Sequence, residues 1–277
     1  MDNDGAGQRE RPRPQGEGVL SRRPRLVYVV TAPVTAHVLL RGQLAFMLDA
    51  GFEVTVVCAP GPELDEVAAR ERVAVIPVAM EREIAPAADA VSLGRLVRVL
   101  RDLEPDIVNT STAKAGLLGG LAAVVARVPI RIYLARGSRA ETTHGLKRSV
   151  LGLTERTTLA CAHHVICVSE SLRERLVGAG IAPSGKTRVL GAGASNGIDV
   201  ERFSRTAERA QQAAAIRVRH SIPADAPVIG FIGRPVADKG ITELLDAFAA
   251  IRADQPAVHL LVIGAGFAGD AMAPGIT

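Results

Sequence analysis

The chain has 277 residues, 48% of them hydrophobic, and a net charge of +4, so it can form two ordinary domains with real cores. Aromatic residues make up only 3%, with no tryptophan, which argues against a base-stacking platform, so no nucleic-acid partner is expected. Cys58, Cys161 and Cys167 lie in apolar stretches and read as reduced core thiols of a cytoplasmic protein, not as a disulfide framework or a zinc site.

Residues 1–24 carry Arg9, Arg11, Arg13, Arg22 and Arg23 among prolines and glycines, the pattern of a disordered basic tail. It is either a plain solvated leader or a weak attraction to anionic lipid headgroups. No apolar run follows it, so it is not a signal peptide. No stretch reaches about 18 apolar residues either; Ala115–Val125 is the nearest and is followed by Arg127.

Leu26–Thr31 is a continuous apolar, β-rich run, suited to a strand buried on both faces. A loop over Ala32–His37 and a helix over Leu39–Ala50 are expected next, with Gly51 closing the helix. Strands follow at Glu53–Cys58, Val73–Val78, Asp106–Thr110, Ile130–Leu134, His164–Val168 and Val189–Leu190. Helices separate them at Leu64–Arg72, from a Ser92 cap to Leu103, at Ala113–Arg127, at Leu146–Ala160 and at Ser169–Ala179. This alternation predicts an α/β domain with a parallel sheet over residues 25–203. A connecting helix and linker are expected at 204–226, then a second α/β unit at 227–277 with strands at 228–233 and 258–263 and a helix at 241–253.

Ligands of such sheets sit at the carboxyl ends of the strands, so those loops hold the candidate residues. Thr110, Ser111, Thr112 and Lys114 lie between a strand and a helix, where hydroxyls, free amides and a cation can hold an anion or a sugar; simple helix capping is the alternative. Arg136-Gly137-Ser138-Arg139 ends another strand and is either a phosphate contact or a solvated turn. His37 follows the first strand and is either catalytic or structural. Gly191–Asp199 is a run of small residues with Asn196-Gly197, which lets backbone approach a ligand closely. In the second unit Gly233, Arg234 and Lys239 lie between a strand and a helix, a glycine turn with a planar fork and a point charge for phosphate. Gly264–Gly269 matches the dinucleotide fingerprint GxGxxG, but eight residues remain after it, too few for the helix, strand and acidic residue that fingerprint needs. No metal-ligand spacing stands out.

Five segments together resemble the family 4 glycosyltransferases, retaining enzymes of the two-domain GT-B type. They are Thr110–Gly119, Glu141–Arg148, Val165–Leu172, Ser195–Phe203 (SNGIDVERF) and Gly230–Phe248 (GFIGRPVADKGITELLDAF). The earlier ones also look like the branch that builds capsular or exopolysaccharide.

The resemblance implies a GT-B fold: a complete N-terminal Rossmann-like domain for a lipid-linked or polysaccharide acceptor, and a second domain for a nucleotide-sugar donor, by family habit a UDP-sugar. It implies that Arg234 and Lys239 grip the donor diphosphate and replace a metal, so no cofactor is expected. It puts Gly233, Asn196 and Gly197 on the donor side, and Thr110, Ser111, Thr112, Lys114 and Arg136 on the acceptor side. His37 falls where the family's first-strand loop faces the donor sugar, although the family's glycine pair is absent there. It further implies work at the cytoplasmic face of the inner membrane, with peripheral contact.

The family's glutamate pair, eight positions apart, has no counterpart in the chain. A donor domain truncated before that pair, and an inactive form, are therefore expected, with the region after about residue 227 marginally stable alone. The alternative is a non-catalytic acceptor-binding fragment or decayed gene product.

Overall fold

The computed structural model describes residues 22–81, 84–137 and 145–264. The basic tail, Ser138 and Arg139, the first part of the 141–148 segment and most of the Gly264–Gly269 run lie outside the described residues. The chain divides into two compact units, residues 1–197 and 198–277. The expected linker helix therefore falls inside the second unit.

In the first unit seven parallel strands run in the order β3-β2-β1-β4-β5-β6-β7. They are β1 (Arg25–Val29), β2 (Glu53–Cys58), β3 (Ala74–Pro77), β4 (Ile107–Ser111), β5 (Ile130–Ala135), β6 (His164–Cys167) and β7 (Thr187–Val189). The helices are α1 (Pro33–Leu39), α2 (Gln43–Asp49), α3 (Glu63–Glu71), α4 (Pro86–Leu103), α5 (Ala113–Val125), α6 (Gly145–Cys161) and α7 (Glu170–Gly178). Parallel strands need crossovers, and right-handed ones put α1–α3 on one face and α4–α7 on the other. The cores follow that division. Leu26, Tyr28, Val30, Val54 and Val56 pack with Leu40, Leu44, Leu64 and Val67, whereas Val27, Val29, Val57 and Val108 pack with Leu96, Leu100 and Leu118. Strand β1 is buried on both faces because its side chains alternate between these two cores.

Helix α5 is apolar nearly all round and lies tight on the sheet. A Cβ on Gly116 would come within 2.6 Å of the Tyr133 ring, and one on Gly119 within 3.0 Å of the Thr110 methyl. The Ala115–Val125 stretch is thus a core helix, and among the described residues no helix is long and apolar enough to cross a membrane. All three cysteines are free. Burial pushes the Cys58 thiol up to about 12, with Glu63 adding to it, so it is not a thiolate at neutral pH.

Three local expectations are corrected. Residues Ala32–His37 are not a loop: Pro33, with its φ preset, starts α1, and His37 sits in that helix's last turn. The helix expected over Leu39–Ala50 starts only at Gln43: α1 ends at Leu39, and residues 40–42 break the chain before α2, where the Gly42 N–H turns to the buried carboxylate of Glu71. Ser92 does not cap α4. The helix starts six residues earlier at Pro86, and the buried Ser92 hydroxyl donates within hydrogen-bond reach of Ala79 O (2.6 Å) and Ala88 O (2.8 Å).

The second unit has α8 (Ala207–Arg219), β8 (Val228–Ile232), α9 (Ile241–Asp254) and β9 (His259–Ile263), with β8 and β9 paired in parallel. Among its described residues the buried ones are small or few: Ala226, Pro235, Val236, Ile241 and Val258. Ile232 at 82% and Val218 at 80% exposure stand in solvent.

Candidate active site

Strands β1 and β4 are neighbours whose chains leave in opposite directions, β1 toward β2 and β4 toward β5. A crevice forms at the carboxyl ends of such a pair, the place where open α/β sheets hold ligands. Two hydroxyls meet there. Thr31 Oγ1 lies 2.7 Å from Thr112 Oγ1, and the Ala115 N–H donates to Thr31 Oγ1 (3.2 Å). The first turn of α5 is therefore capped from another strand, and no side chain of β4's own loop caps it. The expected hydroxyl trio is divided. Thr110 donates to Ile132 O (3.3 Å), Thr112 bonds Thr31, and only the buried Ser111 Oγ has no partner among the described residues.

Thr112 holds φ 74 and ψ 153, a region left almost wholly to glycine. Such strain persists only where the surroundings enforce it. Thr112→Gly is expected to raise stability by about 1–2 kcal/mol after loss of the hydroxyl pair, read by urea unfolding. A destabilised variant would show that the hydroxyl contact outweighs the strain. Lys114 is spoken for: its Nζ pairs with Asp89 of α4 at 2.7 Å, both side chains largely buried.

The segment 190–197 forms a strap over the ends of β5 and β6. It leaves β7, and Gly193 presses on the end of β6, where a Cβ would lie 2.8 Å from Val168 O and φ is 80. At the end of β5, Arg136 Nη1 donates to the Ser195 hydroxyl and, at 3.3 Å, to Asn196 Oδ1. Asn196 Nδ2 then donates to Val38 O at the end of α1 (3.3 Å). Arg136 and Asn196, expected on opposite sides of the reaction, thus lie together in one network; Gly197 follows, exposed. Burial lowers the Arg136 pKa, and its Nε and Nη2 have no partner among the described residues.

His37 stands apart from this network. Its Nδ1 lies 3.2 Å from Arg70 Nη1 and 3.7 Å from Glu66, and its carbonyl accepts from Arg70 Nη2 (2.8 Å). These contacts tie α1 to α3.

In the second unit, Gly233 closes β8 by donating its N–H to Ile263 O of β9 (2.9 Å). Arg234 follows Gly233 in the loop, and the exposed Lys239 ends a short 3-10 turn (Ala237–Lys239) that leads through Gly240 into α9. A glycine turn, two cations and a 14-residue helix beginning at Ile241 stand in sequence. Among the described residues no group of three His, Cys, Asp or Glu could hold a metal.

The sequence model of Glycosyltransferase Family 4 matches residues 36–202. The chain belongs to glycosyltransferase family 4. It is 40% identical over 226 residues to the capsular polysaccharide biosynthesis glycosyltransferase CapM of Staphylococcus aureus, covering 82% of this chain and 57% of CapM. It is 28% identical over 158 residues to a UDP-Gal:α-D-GlcNAc-diphosphoundecaprenol α-1,3-galactosyltransferase of Escherichia coli, covering 55% of this chain and 39% of that protein. It thus spans little more than half the length of these relatives, or less. HepE of Anabaena, crystallised with UDP and glucose, superposes with a TM-score of 0.67 at 17% identity, over 88% of this chain and 62% of HepE. The fold of this family 4 chain is accordingly of the GT-B type.

Sequence reasoning missed two residues of this candidate site in the family 4 chain. Thr31 looked like the last residue of a strand, and its capping role depends on a helix 84 residues away. In sequence Ser195 is only one of the small residues of a tight loop, and its tie to Arg136 spans 59 residues. Neither leaves a local signal.

Proposed function

We propose that the protein transfers a sugar, with retention, from a UDP-sugar to a lipid-linked saccharide in the assembly of a cell-surface polysaccharide such as a capsule. The observation that carries this reading is the 40% identity to CapM over four fifths of this chain. The diphosphoundecaprenol acceptor of the second relative and the UDP in the HepE crystals support the lipid-linked acceptor and the donor class. In this reading Arg234 and Lys239, in the loop between β8 and α9, hold the donor diphosphate. They stabilise the charge that develops as the nucleotide leaves. Fixed cations supply that charge without a metal, so EDTA leaves transfer unchanged.

Thr31, Ser111, Thr112 and the strap line the acceptor side at the switch point. The arginines of residues 1–24 give weak attraction to the anionic inner face of the membrane where such acceptors reside.

Calorimetry with UDP tests the donor assignment. Arg234→Ala and Lys239→Ala are each expected to weaken UDP about ten- to hundredfold, the worth of a charge-assisted hydrogen bond. Unchanged affinity in both variants overturns the diphosphate grip. The anomeric configuration of a transferred sugar, read by NMR, tests the rest: inversion rules out the retaining mechanism.

A further inference from the structure

Arg136 uses one end of its guanidinium and leaves the other idle. Nη1 holds the strap at Ser195 and Asn196, whereas Nε and Nη2 are shielded from solvent without an acceptor among the described residues. A charged donor pair left so is costly unless something repays it. Nε and Nη2 lie on one edge of the planar group, as two parallel N–H donors. That spacing matches two oxygens of a phosphoryl group or a carboxylate.

Ser111 supplies a second, independent sign. It is 3% exposed, and its hydroxyl also has no partner among the described residues. Ser111 sits opposite Leu134 in the β4–β5 register, and Arg136 stands two residues beyond Leu134. Side chains alternate along a strand, so Ser111, Leu134 and Arg136 belong to one face of neighbouring strands. Ser111, which is buried, and Arg136, whose Nε and Nη2 are shielded from solvent, therefore share one face at the carboxyl end of the sheet, beside the strap, each with idle hydrogen-bonding capacity.

We infer that Arg136 and Ser111 of the first unit form a binding site for a phosphoryl group of the substrate, built without Arg234 or Lys239. This deepens the transferase reading and rests on it for the word substrate: the acceptor of such a reaction carries a diphosphate, and this site holds one of its phosphoryl groups. Access requires the strap to shift. Its Ser195 and Asn196 are exposed and are held on by the same guanidinium that receives the anion. Arg136 thereby links the state of the strap to occupancy of the site.

Pyrophosphate is the probe, and the full chain carrying Arg234→Ala and Lys239→Ala is the background, so that the second unit does not answer. Calorimetry is expected to show saturable binding, and the Arg136 Nε–H NMR signal is expected to move with it. Adding Arg136→Gln is expected to weaken binding at least about tenfold, and Ser111→Ala a few-fold. Arg136→Lys keeps the charge without the fork and serves where the glutamine variant fails to fold; it too is expected to weaken binding. Absence of binding in the background chain, or equal affinity in the lysine variant, overturns the site. Binding of glucuronate in place of pyrophosphate overturns the phosphoryl assignment in favour of a carboxylate. No arm depends on sugar transfer, so a failed transferase reading leaves a distinct result: UDP is ignored by the intact chain while pyrophosphate still titrates Arg136.

Discussion

Glu71→Ala is expected to destabilise the first unit by about 3–5 kcal/mol, the cost of breaking a buried ion pair from one side. Glu71 is 1% exposed. Both carboxylate oxygens accept from the Gly42 N–H at 3.0 Å, one also from the Ala45 N–H at 3.2 Å, and Arg70 Nε donates at 2.8 Å. Alanine would orphan two backbone donors at the start of α2 and leave Arg70 with only the more distant Glu66 carboxylate, at 3.9 Å, as counter-charge. Glu71→Gln keeps the shape and one good acceptor, so its loss is smaller.

The acid dependence of this carboxylate has a definite sign. Burial works to raise its pKa, but the Gly42, Arg70 and Ala45 donors together outweigh burial and bring it below the usual 4.5. A group whose pKa is depressed on folding stabilises fully above its unfolded value and loses that contribution as pH falls through the folded value. Urea unfolding at a series of pH values is expected to show the gap between wild type and Glu71→Gln constant near neutrality and narrowing below about 4.5. A gap independent of pH would mean the carboxylate charge contributes nothing.

Gly264→Ala is expected to cost the second unit about 2–4 kcal/mol, from backbone strain plus a lost hydrogen bond. A Cβ at Gly264 would fall 1.9 Å from the Gly233 carbonyl oxygen and 2.7 Å from its carbon, so backbone must move. What moves is the closing bond between β8 and β9, Gly233 N–H to Ile263 O, directly before Arg234. With only a handful of buried residues behind it among those described, this pair has little to absorb the shift. Hydrogen exchange is expected to rise sharply at the β8 and β9 amides while those of β1 and β4 stay protected. UDP affinity should fall with it, because the turn that carries both cations is displaced. Wild-type protection across β8 and β9 would mean that the strands slide without cost.

The sheet was legible because its strands carry their own signal. Runs such as Leu26–Val30 and Val54–Cys58 are apolar on both faces, and only a parallel sheet covered twice can bury them. Helix starts were less so. Ser92 is a good cap by type, but Pro86 begins α4 six residues earlier and burial turns the hydroxyl onto Ala79 O. His37 follows a strand, and Pro33 is the local signal that a helix was starting. The candidate site was legible in its loops and illegible in its connections. The residues Thr112, Arg136 and Asn196 stood out from their positions at strand ends. That Thr112 leans on Thr31, and that Arg136 fastens Asn196 while Asn196 reaches Val38, are long-range pairings that no window of sequence contains.

The strand order has a consequence for how the protein is made. Strand β1 is central, yet its two neighbours arrive at very different times: β2 begins at Glu53, whereas Val27 waits for Val108, 81 residues on. At ribosomal speed that interval is roughly 4–16 s. The segment 26–73 holds nearly all of the α1–α3 core and can collapse early around Glu71. Its other face, Val27, Val29 and Val57, stays bare until α4 emerges, and the open edge of β1 stays unpaired until β4 does. For those seconds the nascent chain presents a bare apolar face beside a free strand edge, which is the form a chaperone binds and a neighbouring chain can pair with.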